Sequence, residues 1–185
     1  MIGLRKLLAR FGGDRRAVSA VEFALLAPVM ITLYFGCVEI SDGVAADRKV
    51  SLTAAALANL AAQPTSISSA DMTNILDAAS AIIAPYDASK LKITVSCLNI
   101  DANKVATVKW SQTRNGTARA TNSTYSFDAS TSALDVANSQ LVLAEASYGY
   151  TPIVGMVITG TITLSDRMFM SPRISAPDYA GAACS

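Results

Sequence analysis

From Ala17 to Ile40 the chain reads AVSAVEFALLAPVMITLYFGCVEI, an almost unbroken apolar run, and beyond it the hydrophobic positions become periodic. As a helix the run would be roughly 36 Å long against a hydrocarbon core of about 30 Å, which predicts a transmembrane helix over 17–40. From Ser41 to Gln63 no proline intervenes, and Val50, Leu57, Leu60 and Ala61 share one stripe while Asp42, Lys49 and Asn59 fall off it. The same helix is therefore expected to continue into water until Pro64 closes it. A second helix is predicted over Ala70–Ala84, with Ser69 as N-cap, Asp71 in its first turn, and Met72, Ile75, Leu76, Ala79, Ile82 and Ile83 on its apolar face.

From Lys90 onward the period changes from 3.6 to 2. Leu91, Ile93, Val95 and Cys97 alternate with Lys92, Thr94 and Ser96, the pattern of a half-buried strand. A turn at Asp101–Asn103 leads to a second strand over Val105–Gln112, with Ala106, Val108 and Trp110 expected on one side. Between Arg114 and Asn138 the composition turns to Ser, Thr, Asn and Ala, which predicts a long surface loop that Tyr125 and Phe127 pin to the body. Leu141–Tyr150 alternates again, with Val142, Ala144, Ala146, Tyr148 and Tyr150 on one face and Glu145 opposite; Pro152 ends it. A fourth, Thr-rich strand is expected over Val157–Leu164, extended by Asp166–Met170. The sum is an α+β fold: a long N-terminal helix, a second helix and an antiparallel sheet of about four strands, one face under the helical layer and the other wet.

Charge adds an orientation to this picture. Residues 1–16 carry Arg5, Lys6, Arg10, Arg15 and Arg16 against Asp14, whereas 39–49 carry Glu39, Asp42 and Asp47 against Arg48 and Lys49. The positive-inside rule then makes 1–16 a basic cytoplasmic leader and 41–185 a periplasmic domain. In the leader, Leu4, Leu7, Leu8 and Phe11 sit at helical spacing, consistent with a short amphipathic surface helix or with a charged region that never orders. Cys37 is expected as a small, buried apolar residue of the span, while Cys97 and Cys184 fall in the exported part, where an oxidising compartment permits either a bridge or two free thiols.

The chain of 185 residues contains no histidine, which removes the usual base of nucleophilic triads and the commonest ligand for zinc or copper. It has no phosphate-binding glycine loop, and its acids are scattered singly. No enzymatic role, cofactor, metal or small-molecule substrate is expected, and a net charge of +1 gives no footprint for nucleic acid.

Two features inside the span are unusual for a plain anchor. Glu22 places a carboxylate near its start, costing on the order of 2 kcal/mol or more unless a cation or the headgroups compensate it. Pro28 removes a backbone donor and invites a bend. The basic pair Arg15 and Arg16, the VEFALL core at Val21–Leu26 with Glu22 and Phe23, and Pro28 together resemble the N-terminal signature of the TadE-like family, the minor pilin-like proteins of tight-adherence (Flp) pilus systems. Fainter similarity lies in YGYTPI at Tyr148–Ile153 and SPR at Ser171–Arg173.

The resemblance implies a pilin-like fold and a role in assembling a pilus that supports surface adhesion. It also implies cutting by a prepilin peptidase between Ala17 and Val18, with Glu22, Phe23 and Pro28 serving subunit assembly. The new amine of Val18 would pair with Glu22 of a neighbouring subunit. Alanine stands at position 17 where the family pattern has glycine. Implied partners are the inner membrane, the major pilin and other pilin-like subunits, a prepilin peptidase and an inner-membrane assembly platform. Three alternatives stay open: Glu22 pairing only with Arg15 or Arg16, an ordinary signal-peptidase cut near Ala45, and a tethered periplasmic protein unrelated to pili.

Overall fold

Helix α1 spans Arg15–Ala61, 47 residues that include Pro28. The computed structural model describes residues 15–152, 154, 155 and 158–184, with side chains from Val18 onward. Of the leader expected over 1–16, residues 1–14 lie outside the described residues, while Arg15 and Arg16 belong to α1. After α1 come β1 (Ser66–Ile67), α2 (Ser69–Ala81), β2 (Leu91–Ile100), β3 (Ala106–Arg114), β4 (Thr124–Tyr125), β5 (Ser139–Tyr150), β6 (Ile162–Met170) and β7 (Asp178–Tyr179). The chain forms two units, one of residues 1–42 with 152–160 and one of 43–151 with 161–185.

In the second unit an antiparallel five-stranded sheet has the order β4-β3-β2-β5-β6. The fifth strand, beyond the four expected, is the two-residue β4, which pairs with Ala106 and Thr107. One face of the sheet packs on helix. Ala46, Val50, Ala54, Leu57, Ala58 and Ala61 of α1 and Met72, Leu76 and Ala79 of α2 enter one core with Ile93, Val95, Cys97, Trp110, Val142, Ala144 and Tyr148. The small residues on the α1 stripe let helix and sheet approach closely, and the larger Leu57 and Val50 fill the space between. Thr53, polar but fully buried there, donates its hydroxyl to the Lys49 carbonyl at 2.8 Å.

α2 starts one residue earlier than expected. Ser68 rather than Ser69 is the N-cap, and Asp71 completes a capping box by accepting the Ser68 backbone N–H. The helix ends at Ala81 rather than Ala84, yet Ile83 still reaches the core.

The second strand differs from its predicted face. Cys97 pairs with Trp110 but Leu98 pairs with Val108, so Lys109 is an extra residue that reverses the alternation. Trp110 therefore faces the helices, while Ala106 and Val108 face the other way. On that second face they join Leu98, Ile100, Leu141, Leu143 and Tyr125, with Phe127, Leu134 and Phe169 packed against them. The face expected to be wet thus carries a second core, covered by the 115–138 segment. β6 also begins at Ile162, so residues 158–161 of the expected strand lie before it, and Val157 lies outside the described residues.

Polar contacts fix this covering segment. Arg119 donates to Glu145 through Nε at 3.0 Å and Nη2 at 2.7 Å, and its guanidinium lies 5.1 Å from the Tyr125 ring centre. Asp128 pairs with Arg167 of β6 and accepts from Ser130 and Thr131. These donors hold its carboxyl well below the usual carboxylate range, Ser130 being the largest influence, then Arg167 and Thr131. A depressed pKa contributes stability that is present above the unfolded value, near 3.8, and is lost as pH falls through the folded one. Asp128→Asn should therefore flatten the acid limb of a stability profile recorded from pH 5 downward, and an unchanged limb would show that the contact contributes nothing.

The C-terminal segment returns to the same unit. β7 pairs in parallel with β1, Arg173 N donates to the Ala62 carbonyl at 3.1 Å, and Trp110 Nε1 donates to the Pro177 carbonyl at 2.8 Å. Cys97 and Cys184 form a disulfide with their Cα atoms 6.0 Å apart.

Candidate functional site: the exposed apolar face of α1

The first unit contains the other part of α1, and there the usual relation between apolarity and burial is inverted. Large aliphatic and aromatic side chains from Val18 to Ile40 lie open, from 47% exposed at Val38 to 73% at Phe23, with Phe35 the half-buried exception. A contiguous surface of this kind is far larger than a protein leaves in water, so it marks a surface that lipid or other helices cover. α1 is the one described helix long and apolar enough to cross a membrane.

Pro28 and Thr32 set the polar accounting of this part of the helix. Pro28 has no N–H, so the Ala24 carbonyl lacks its ordinary partner four residues on, yet the helix continues through that position. Thr32 turns its hydroxyl back onto the Pro28 carbonyl at 2.8 Å, which satisfies that donor within the helix. Tyr34 and Phe35 meet edge to face with ring centres 5.5 Å apart.

The residues singled out by sequence fall along this surface. Val18 is exposed, Glu22 stands exposed one turn later, and Phe23 beside it is the most open of the large side chains in the span. Among the described side chains Glu22 has no ion-pair partner; those of Arg15, Arg16 and Ala17 lie outside the description. Cys37, expected to be buried, is exposed on the same helix. Cys97 and Cys184 sit in the other unit and belong to its core, not to this surface.

Sequence reasoning missed Glu39. By charge it is one of the acids flanking the span, but it is 3% exposed and its Oε2 accepts the Ile158 amide at 3.1 Å. Gly36, one turn before it, is buried as well. The available signal was the i, i+3 spacing of Gly36 and Glu39 within an otherwise large-residue run, which marks a strip where another backbone can approach. Among the described residues no group of His, Cys, Asp or Glu is placed to hold a metal ion.

An open apolar helix of this length on an α+β protein defines the class of a single-span, membrane-anchored protein. Residues 17–58, the stretch that begins at the apolar run and continues along α1, match the family model of TadE-like proteins. A TadE-like domain supports a protein associated in a general way with Tad pili. No curated protein and no solved structure matches the chain.

Proposed function

We propose that the protein is a minor pilin-like subunit that takes part in assembling a tight-adherence pilus from the inner membrane. The observation that carries this reading is the coincidence of the TadE-like match at 17–58 with an apolar surface that the chain itself leaves uncovered and that bears Glu22. The basic N-terminal residues stay in the cytoplasm and the α+β unit lies in the periplasm, as the charge asymmetry favours.

The mechanism is packing. In the membrane the face from Val18 to Ile40 is covered by lipid; during assembly it passes into a bundle of like helices. A carboxylate inside such a bundle needs a cation. Trimming between Ala17 and Val18 would supply one as the free amine of Val18, one helical turn from the Glu22 of a neighbour. Phe23 contributes contact area beside it, and Pro28 lets the rod bend to its neighbours. The partners are then the major pilin, other pilin-like subunits, a prepilin peptidase and a membrane assembly platform, and no enzymatic step belongs to the chain itself.

Glu22→Ala should leave the protein in the membrane at its normal level while piliation and surface adherence fall at least tenfold. Normal piliation with normal protein level would overturn the role of Glu22. Mass spectrometry of the mature chain checks the cut separately, since a polypeptide beginning at Val18 is expected and one beginning near Asp47 would indicate secretion instead.

A further inference from the structure

The five-stranded sheet ends differently at its two sides. Beyond β3 the chain itself closes part of the edge, through the two-residue β4 and bonds between Val108 and the backbone of Asn122 and Ser123. β6 is the opposite edge. Its 9 residues, Ile162–Met170, run against β5 in unbroken register, and among the described residues no strand lies along its outer side. Half of the backbone N–H and C=O groups of such a strand point outward, a row ready to pair with another chain.

The side chains of β6 divide by face. Register with Ala144, Ala146 and Tyr148, all in the helix-facing core, puts Leu164, Asp166 and Met168 on that face. Leu164 and Met168 pack against the core yet are only half-buried, and Asp166 stands half-buried between them. Its Oδ1 accepts the Arg167 amide at 2.8 Å, and among the described residues no cation pairs with it. A strand with a cation between two apolar side chains would match this row position by position. A depression of about 450 Å³ lies over the middle of β5 and β6, lined by Glu145, Ser147, Ser165 and Arg167 of the second face together with Ala146 and Asp166. Strand addition uses both elements, an open edge for main-chain bonds and a hollow beside it for alternate side chains.

We propose that the outer edge of β6 is a docking site for an extended segment of a partner protein, which adds as a further strand with a lysine or arginine opposite Asp166. An apolar side chain lies two residues to either side of that cation, and the side chains between them pass to the face that carries the depression. A second copy of the chain fits this edge poorly. Two copies joined antiparallel along β6 meet with like faces together, so pairing over the whole strand centres on Asp166 and sets it opposite its own counterpart, a like-charge pair. The inference concerns the α+β unit alone and stands apart from the reading of α1.

The test uses the full chain in detergent and three labelled heptapeptides of threonine with valine at the second and sixth positions. One carries lysine at the fourth position, one glutamate there, and the third is the lysine peptide N-methylated along its backbone. Fluorescence anisotropy should show saturable binding of the lysine peptide, about tenfold weaker binding of the glutamate peptide, and none of the N-methylated one. Asp166→Lys should reverse the preference between the two charges, with Trp110 emission checking that the fold is kept. Amide hydrogen exchange over 162–170 should slow when the lysine peptide is bound. Absence of saturable binding overturns the proposal, as does equal binding of the two charged peptides, binding that survives N-methylation, or protection confined to other segments. Protection of 162–170 in the chain alone that grows with its concentration assigns the edge to a second copy, which also overturns it.

Discussion

Replacing Cys97 and Cys184 together by Ala should cost the α+β unit about 4 kcal/mol, because the bridge ties positions 87 apart in sequence and so restricts a large loop of the unfolded chain. The other ties of the C-terminal segment are hydrogen bonds and one ring contact: Arg173 to Asn59 and Ala62, Asp178 N to Thr65, Ala180 N to Ile67, Trp110 to Pro177, and Tyr179 with its ring centre 5.7 Å from that of Trp110. Trp110 is the sole tryptophan and pairs directly with Cys97 across β2 and β3, so its fluorescence reports this region without labelling. In urea titrations of the full chain in detergent, the double variant should unfold at a markedly lower midpoint, with Trp110 emission shifted to the red even before the transition. The same midpoint and emission in both proteins would mean that the tail is held by its packing alone.

The second large effect separates the two parts of α1. Met30 and Leu52 are both exposed, at 66% and 59%, on one continuous helix. Met30 lies near the middle of the proposed span, where an arginine costs about 3 kcal/mol, on the order of a hundredfold in the insertion equilibrium. Leu52 lies in the aqueous half, where an exposed charge costs almost nothing. Met30→Arg should therefore move the protein from the membrane pellet to the supernatant on alkaline extraction, while Leu52→Arg should stay with the membrane as the parent does. Equal behaviour of the two variants would contradict a span confined to 17–40.

These expectations draw on features that differ in how far the sequence exposed them. α1 was legible because both its halves use strong signals, continuous apolarity before Ile40 and a 3.6-residue stripe after it. β2 and β5 were legible for the same reason at period 2. The bulge at Lys109 was not, since one inserted residue reverses the facing of Trp110 without altering the composition of the strand. The two-residue β4 was equally hidden, because it is held by tertiary packing of Tyr125 on Phe127 and Phe169 and not by any local propensity. Of the candidate surface, the exposed helix and the placing of Val18, Glu22, Phe23 and Pro28 upon it followed from apolar length and a misplaced acid. Glu39 did not, because whether a carboxylate at a helix end meets water or a returning loop depends on contacts 119 residues apart.

On the proposed function, sister helices cover the apolar face of α1 that the single chain leaves open. Benzoylphenylalanine in place of Phe23, the most open of the large apolar side chains of the span, captures whatever lies against that face on illumination of piliated cells. The expected result is a crosslinked product with another pilin-like subunit, lost when Glu22→Ala is added. Adducts with lipid alone in cells that make pili, or the same protein adduct in cells that lack them, would contradict it.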